Sequence, residues 1–302
     1  MKIVFMGTPE FAVPSLESIS KNYDVKAVVT VPDKQKGRGQ KLSYSPVKEK
    51  ALELGLNILQ PNSLKDKDFI DNLKEIDPDI ICVIAFRILP EEVFSIAKFA
   101  SFNIHGSLLP KFRGAAPINR AIMAGEMKTG LTSFVLKKVV DTGDILLKKE
   151  VELTKDMTAG ELHDLMMPIA AELSIETIKM INSGSYNLIE QDDSVASPAP
   201  KIFREECEIL SVRNVIEAKN HIHGLSPYPA AFVIINGTEF KILKVRESEE
   251  ILKMGSFKID KKFLLGFEGG SLEVLELKPQ GKKVIDSKSF INGWRGVKEG
   301  DF

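Results

Sequence analysis

The chain has 302 residues and a formal net charge of -1, with 43% hydrophobic and 27% charged residues. That length exceeds the usual reach of one hydrophobic core, so two domains of unequal size are expected, and that composition excludes a largely disordered chain. The charge excludes a wholesale basic surface, so any nucleic-acid contact has to come from local clusters of Lys and Arg.

In chain order, apolar runs at 3–6, 25–31, 79–85 and 100–105 read as strands, the middle ones nearly continuous in Val and Ile, as in strands buried on both faces. Between them, 9–20, 45–54, 66–76 and 91–97 carry apolar residues at helical spacing, several opening on Pro or Asp. The alternation predicts an α/β fold with an open, mainly parallel, Rossmann-like sheet. Two further strands, 131–136 and 144–151, flank a turn, and 159–181 reads as a long helix with Leu162, Leu165, Met166, Ile169 and Leu173 on one face. Residues 190–200 are polar, then small and proline-bearing, as in a linker. Beyond Ser226-Pro227-Tyr228-Pro229 come short strands at 231–235, 238–245, 263–267 and 272–277, with Asn236-Gly237 as a hairpin signal. A small, OB-like β-barrel is expected there. The expected division is a catalytic domain over 1–189, a linker over 190–205 and a C-terminal β-barrel over 206–302.

The first strand opens without the charged, apolar and small-residue regions of a secretory signal, and no apolar run approaches the roughly 20 residues of a membrane helix. Cys82 and Cys207 are the only cysteines, too few for a zinc set or a disulfide framework and suited to a reducing compartment. A cytoplasmic protein with no membrane partner is expected.

Chemistry concentrates at Ser101-Phe102-Asn103-Ile104-His105-Gly106, the end of a predicted strand. Strand alternation puts Asn103 and His105 on one face, and in open α/β sheets ligands bind at the carboxyl ends of strands. Acyl transfer to an amine needs a base for the amine proton and a donor for the developing oxyanion; a His and an Asn amide can serve. An acid to orient the imidazole is available in Val139-Val140-Asp141-Thr142-Gly143-Asp144, which offers Asp141 or Asp144.

The run from Asn103 to Ile118, Asn-Ile-His-Gly-Ser-Leu-Leu-Pro-Lys-Phe-Arg-Gly-Ala-Ala-Pro-Ile, resembles the signature of folate-dependent formyltransferases. The resemblance implies Asn103, His105 and Asp141 as the catalytic residues, favouring Asp141 over Asp144. It implies that Ser107, Leu108, Leu109 and Pro110, with the loop Phe86-Arg87-Ile88-Leu89-Pro90, hold 10-formyltetrahydrofolate as formyl donor, and that no metal takes part. Phe5-Met6-Gly7-Thr8-Pro9-Glu10-Phe11, Pro32-Asp33, Gly37-Arg38-Gly39-Gln40-Lys41-Leu42, Ser45-Pro46-Val47-Lys48 and Leu277-Lys278-Pro279-Gln280-Gly281-Lys282-Lys283 resemble the branch of that family whose acceptor is methionyl initiator tRNA. The implied tRNA contacts are Lys36, Arg38 and Lys41 on a Gly-rich loop, a composition suited to phosphates, and Lys282 and Lys283 near the C-terminus. Glu276 and Asp286 interleave with the latter cations and could neutralise them locally. Tetrahydrofolate would be the other product and a monomer is expected. Two other readings are a small-molecule amine as acceptor, and a tRNA-binding relative without catalysis.

Two stretches depart from the family pattern. Phe86-Arg87 stands where a Gly is common before Ile-Leu-Pro, and Lys137-Lys138-Val139 replaces an Asp and a Gly shortly before Asp141. His221-Ile222-His223 lacks companions for a metal site, His163 reads as a helix-surface residue, and Gly7-Thr8-Pro9 lacks the G-x-G-x-x-G spacing of a dinucleotide site.

Overall fold

The computed structural model describes residues 1–36, 41–209 and 214–302. Contacts divide the chain into two compact units: residues 1–114, 129–151 and 163–198 form one, and residues 115–128, 152–162 and 199–302 the other.

The elements run β1 (Lys2–Gly7), α1 (Val13–Asn22), β2 (Asp24–Val29), β3 (Lys34–Lys36), β4 (Lys41–Ser43), α2 (Pro46–Glu53), β5 (Ile58–Leu59), α3 (Lys67–Ile76), β6 (Ile80–Ile84), α4 (Glu91–Phe94), β7 (Ala100–His105), α5 (Pro117–Met123), β8 (Lys128–Val135), β9 (Ile145–Glu152) and α6 (Ala159–Ser183). They continue as α7 (Val215–Leu225), β10 (Ala231–Ile235), β11 (Thr238–Ser248), β12 (Ser256–Ile259), β13 (Phe263–Phe267), β14 (Gly270–Pro279), β15 (Ile285–Asp286), α8 (Ser287–Gly293) and β16 (Glu299–Asp301).

The first sheet has the order β5-β2-β1-β6-β7-β8-β9. Pairing is parallel from β5 through β7, and β8 runs antiparallel to β7. The Val and Ile runs are central strands: β6 is buried at every position, as its lack of alternation implies. The helices start where the sequence signals them. Ser45 caps α2 by accepting from the Lys48 N–H, with Pro46 in the first turn, and Asp66 caps α3. The helix expected over 91–97 stops after one turn, because the Lys98 and Phe99 N–H groups donate instead to the Pro78 and Asp79 carbonyls ahead of β6. The chain lays β2 and β5 on one side of β1, then returns to lay β6 and β7 on the other. The strand order thus reverses between β1 and β6, and the loops leaving β1, β6 and β7 share the carboxyl edge where such sheets bind ligands.

In the second unit the order is β10-β11-β14-β13-β12-β16, with β15 added to β14, every pair antiparallel. It is a curled half-barrel. Alternate residues of its strands, among them Phe240, Ile242, Phe263, Leu265 and Val274, meet Ala218, Ile222 and Leu225 of α7 in one core. Helix α5 belongs to this unit, and its Asn119 Nδ2 donates to the Gly224 carbonyl of α7 at 2.7 Å. Helices α5, α7 and α8 have no counterpart in the strand-and-turn pattern read from the sequence.

Candidate active site

Asn103 lies on β7 between Val83 of β6 and Phe134 of β8, and His105 ends the strand opposite Thr132. Asn103 is half-buried, its Oδ1 is fully buried, and that oxygen has no hydrogen-bond partner among the described residues. His105 is 6% exposed. Its Nε2 lies 2.8 Å from the Phe112 carbonyl oxygen. A carbonyl only accepts, so Nε2 carries the hydrogen and the lone pair of the neutral ring sits on Nδ1. That nitrogen faces the Asp141 Oδ2 at 3.9 Å. The Phe134 ring packs edge-on to the imidazole and fixes its plane.

The position of Asp141 is held from several sides. Its backbone is left-handed, with φ of 57°, and its carboxylate accepts the Gly114 N–H at 2.9 Å. Gln191, 8% exposed, donates Nε2 to the carbonyls of Asp141 at 2.9 Å and Gly143 at 2.7 Å. The Gln191 Oε1 accepts from Arg113 Nε at 3.0 Å and Nη2 at 2.8 Å, and Nη2 also reaches Asp193. Ser197 Oγ accepts the Phe112 N–H at 2.9 Å, which positions the residue whose carbonyl binds His105. The segment read from sequence as the start of a linker is thus a strap over the site. The one local signal for it is the apolar pair Leu188-Ile189 just before, where Ile189 bridges to Ile145 of β9. Gly143 is required as glycine: a Cβ there would lie 1.6 Å from the Val135 carbonyl oxygen. The other candidate acid, Asp144, is turned to Lys137 at 2.7 Å.

The two loops expected around the donor leave β6 and β7. Leu89 and Leu109 are buried, Ser107 is buried with Oγ donating to the Lys111 carbonyl, and Ile88 is exposed. Phe86 packs into the core under the sheet edge. The departure at Arg87 has a structural use: its guanidinium donates to the Asn62 carbonyl at 3.1 Å and the Pro61 carbonyl at 3.0 Å, tying one loop to another. Buried polar atoms without a partner among the described residues include Thr8 Oγ1 just after β1, Arg87 Nε in the loop after β6 and Asn103 Oδ1 two residues before the end of β7. Such atoms are uncommon in a native interior, and these three follow or end strands whose carboxyl edge is where sheets of this kind bind ligands.

Lys36 and Lys41 pair in register across the β3–β4 hairpin, and Arg38 between them lies outside the described residues. The root of the hairpin is fixed: Lys48 Nζ binds Asp33 at 2.6 Å and Gln60 Nε2 donates to Asp33 at 2.8 Å. The Lys48 and Gln60 hydrogen bonds hold the Asp33 carboxyl below its usual range. Lys282 and Lys283 are exposed in the turn after β14. Among the described residues no Glu276 or Asp286 ion pair neutralises them; the Asp286 carboxylate caps α8 through the Ser289 N–H. His221 and His223 are buried in α7, and no group of three or more potential metal ligands occurs among the described residues. His163 packs tilted against Phe11, with ring centroids 5.2 Å apart, and binds Asp164.

Residues 1–178 match the family model described as formyl transferase, and residues 201–295 match formyl transferase, C-terminal domain. The chain belongs to the formyl transferase family. It is 44% identical over 299 residues to the methionyl-tRNA formyltransferase of Clostridium novyi, with 97% of each chain covered. Among solved structures, the methionyl-tRNA formyltransferase from Clostridium thermocellum superposes with a TM-score of 0.58 at 19% identity, covering 95% of this chain and 99% of that one. WlaRD, a sugar 3N-formyl transferase solved in the presence of dTDP and 5-N-formyl-THF, gives 0.67 at 22% identity, covering 94% and 99%. At such identities these two speak for the fold, and the expected Rossmann-like sheet followed by a smaller β domain agrees with them.

Proposed function

We propose that this formyltransferase moves the formyl group of 10-formyltetrahydrofolate to the amino group of methionyl initiator tRNA. The observation that supports the reading is the His105 imidazole facing the Asp141 carboxylate at 3.9 Å, two residues along β7 from Asn103, whose buried Oδ1 has no partner among the described residues. It is supported by the 44% identity to a methionyl-tRNA formyltransferase over 97% of both chains.

When bound, the folate supplies an electrophilic formyl carbon. Ser107, Leu108, Leu109 and Pro110, with Phe86, Arg87, Ile88 and Leu89, would hold it beside Asn103. The acceptor's amino nitrogen bonds to the formyl carbon, and the Asn103 Nδ2 donates to the oxygen as negative charge develops there. His105 Nδ1 takes the proton the amine releases, becoming an imidazolium against the Asp141 carboxylate. Returning that proton to the departing folate nitrogen as the C–N bond breaks restores the neutral ring and leaves tetrahydrofolate. Every proton and charge in this sequence has a side chain assigned to it, so the proposal calls on no metal. Lys36, Arg38, Lys41, Lys282 and Lys283 would contact RNA phosphates. An acceptor used to start translation places the enzyme in the cytoplasm, and no described helix is long and apolar enough to cross a membrane.

The test is transfer of radiolabelled formyl to charged initiator tRNA, compared with glycinamide ribonucleotide and an amino sugar nucleotide. Asn103→Ala and His105→Ala should each lose about a hundredfold or more in kcat with unchanged thermal unfolding. Near wild-type turnover in either variant removes its catalytic role; transfer to the small amines alone removes the tRNA acceptor.

A further inference from the structure

The second unit contains a cavity of ≈ 560 Å³ between β11, the end of β14 and α8. This lies within the range of about 300–1,000 Å³ typical of ligand sites. Phe240, Phe290 and Trp294 form its aromatic wall, Val284 stands at its mouth, and Lys282 and Lys283 are on its rim; no carboxylate lines it. The wall is rigid. Trp294 and Phe290 have ring centroids 5.2 Å apart, Phe240 meets Trp294 edge-on at 5.8 Å, and the Trp294 Nε1 is committed to the Val297 carbonyl at 2.9 Å. The slot therefore offers a guest aromatic and aliphatic surface, while the exposed rim offers two cations with no carboxylate partner among the described residues.

An apolar aromatic slot beside unpaired cations is the combination by which proteins hold unstacked nucleotides, the ring system taking the base and the cations its phosphate. A neutral apolar peptide or an esterified acyl chain would use the slot but leave both lysines idle, and a paired helix would use the lysines but leave the slot empty. We propose that the slot receives one unpaired nucleotide of the tRNA, its base against the Trp294 wall and its phosphate at Lys282 and Lys283. The inference rests on the reading above that RNA carries the acceptor amine. The slot is a second, non-catalytic anchor, which grips a base as well as the charged backbone.

Trp294 is the only tryptophan in the chain, so its fluorescence reports on the slot directly. The full-length protein is titrated with uncharged initiator tRNA, a short single-stranded RNA, a blunt RNA duplex, adenosine monophosphate and heparin. A saturable change in emission with tRNA and the single strand, absent with duplex and heparin, is the expected result. Val284 is 53% exposed, so Val284→Glu should fold normally; it should weaken tRNA binding by about tenfold or more. Lys282→Ala should lower the salt slope of binding by about one. The slot is overturned by unchanged emission while tRNA is bound, by an equal response to duplex, by a response to free mononucleotide as strong as to the oligonucleotide, or by unaltered affinity in Val284→Glu. Formyl transfer by the wild-type chain is read separately: transfer with a silent Trp294 sinks the slot alone, and a responsive Trp294 without transfer sinks the acceptor assignment instead.

Discussion

Gln191 satisfies two carbonyl oxygens and a guanidinium with one buried amide. Those carbonyls belong to the turn that holds Asp141 in a left-handed conformation, which costs on the order of 1–3 kcal/mol and persists only where neighbours enforce it. Gln191→Ala should therefore destabilise the fold by about 1–3 kcal/mol, the penalty for unpaired buried polar groups. It should also lower kcat by about tenfold or more with less effect on KM, because the acid drifts from the imidazole. Gln191→Glu separates the two effects: it keeps an oxygen for Arg113 but sets a carboxylate against two carbonyls, so kcat should stay low. Urea unfolding and steady-state kinetics on both variants check this, and full kcat in Gln191→Ala despite lost stability would confine Gln191 to the fold. That Asn103 and His105 share one face at the end of β7 could be read from sequence because period-two alternation along a strand is a local pattern. Gln191 could not, since its partner Asp141 lies 50 residues away and nothing near it marks the pairing.

Among the elements, those with punctuation were legible. Ser45-Pro46 and Asp66 start α2 and α3 where caps predict, and Asn236-Gly237 turns β10 into β11 with both residues at positive φ. Helix α7 was not, although Val215, Ala218, Ile222 and Leu225 have helical spacing, because two histidines and a glycine interrupt its apolar face. Burial is the main force on both histidines, and it pulls each below the ordinary value of 6.5. Around His221 stand Glu206, which opposes the shift, and Arg120, which adds to it; around His223 stand Lys219 and Lys244, which add, and Asp156, which opposes. The sign follows from linkage. As pH falls through 6.5 the unfolded chain gains protons that the folded helix refuses, so stability is full above that pH and declines below it. Urea unfolding between pH 8 and pH 5 should show this decline, and His221→Leu should flatten it relative to wild type. Parallel curves for the two proteins would mean that His221 titrates as freely in the fold as outside it.

At the scale of the whole molecule, apolar periodicity sorts the chain into stretches, whereas the compact units interleave: residues 115–128 and 152–162 pack with residues 199–302. The bonds involved join distant positions that no local pattern links. Asn119 Nδ2 donates to the Gly224 carbonyl, Arg120 binds Glu206 at 2.8 Å, and the Gly160 N–H donates to the Ser226 carbonyl at 2.9 Å. Lys219, whose side chain is 8% exposed, divides its charge between Asp156 and Glu247. Packing adds to this, since a Cβ on Gly224 would sit 2.4 Å from the Met123 Cγ, so α5 and α7 touch along their backbones. A fragment of residues 199–302 keeps every strand of the half-barrel but loses Asn119, Arg120, Met123, Asp156 and Gly160. Each lost hydrogen bond is worth about 0.5–1.5 kcal/mol net, with more for those to charged groups. Four such losses and an uncovered helix face together remove several kcal/mol from a domain whose whole stability is of order 5–15 kcal/mol. The fragment should therefore unfold at a clearly lower urea concentration than the same strands do in the full chain, and should bind a hydrophobic dye where α5 was removed from α7. Cooperative unfolding at the full-chain midpoint, with no dye bound, would show that the interleaved segments contribute little and that the half-barrel with α7 is self-sufficient.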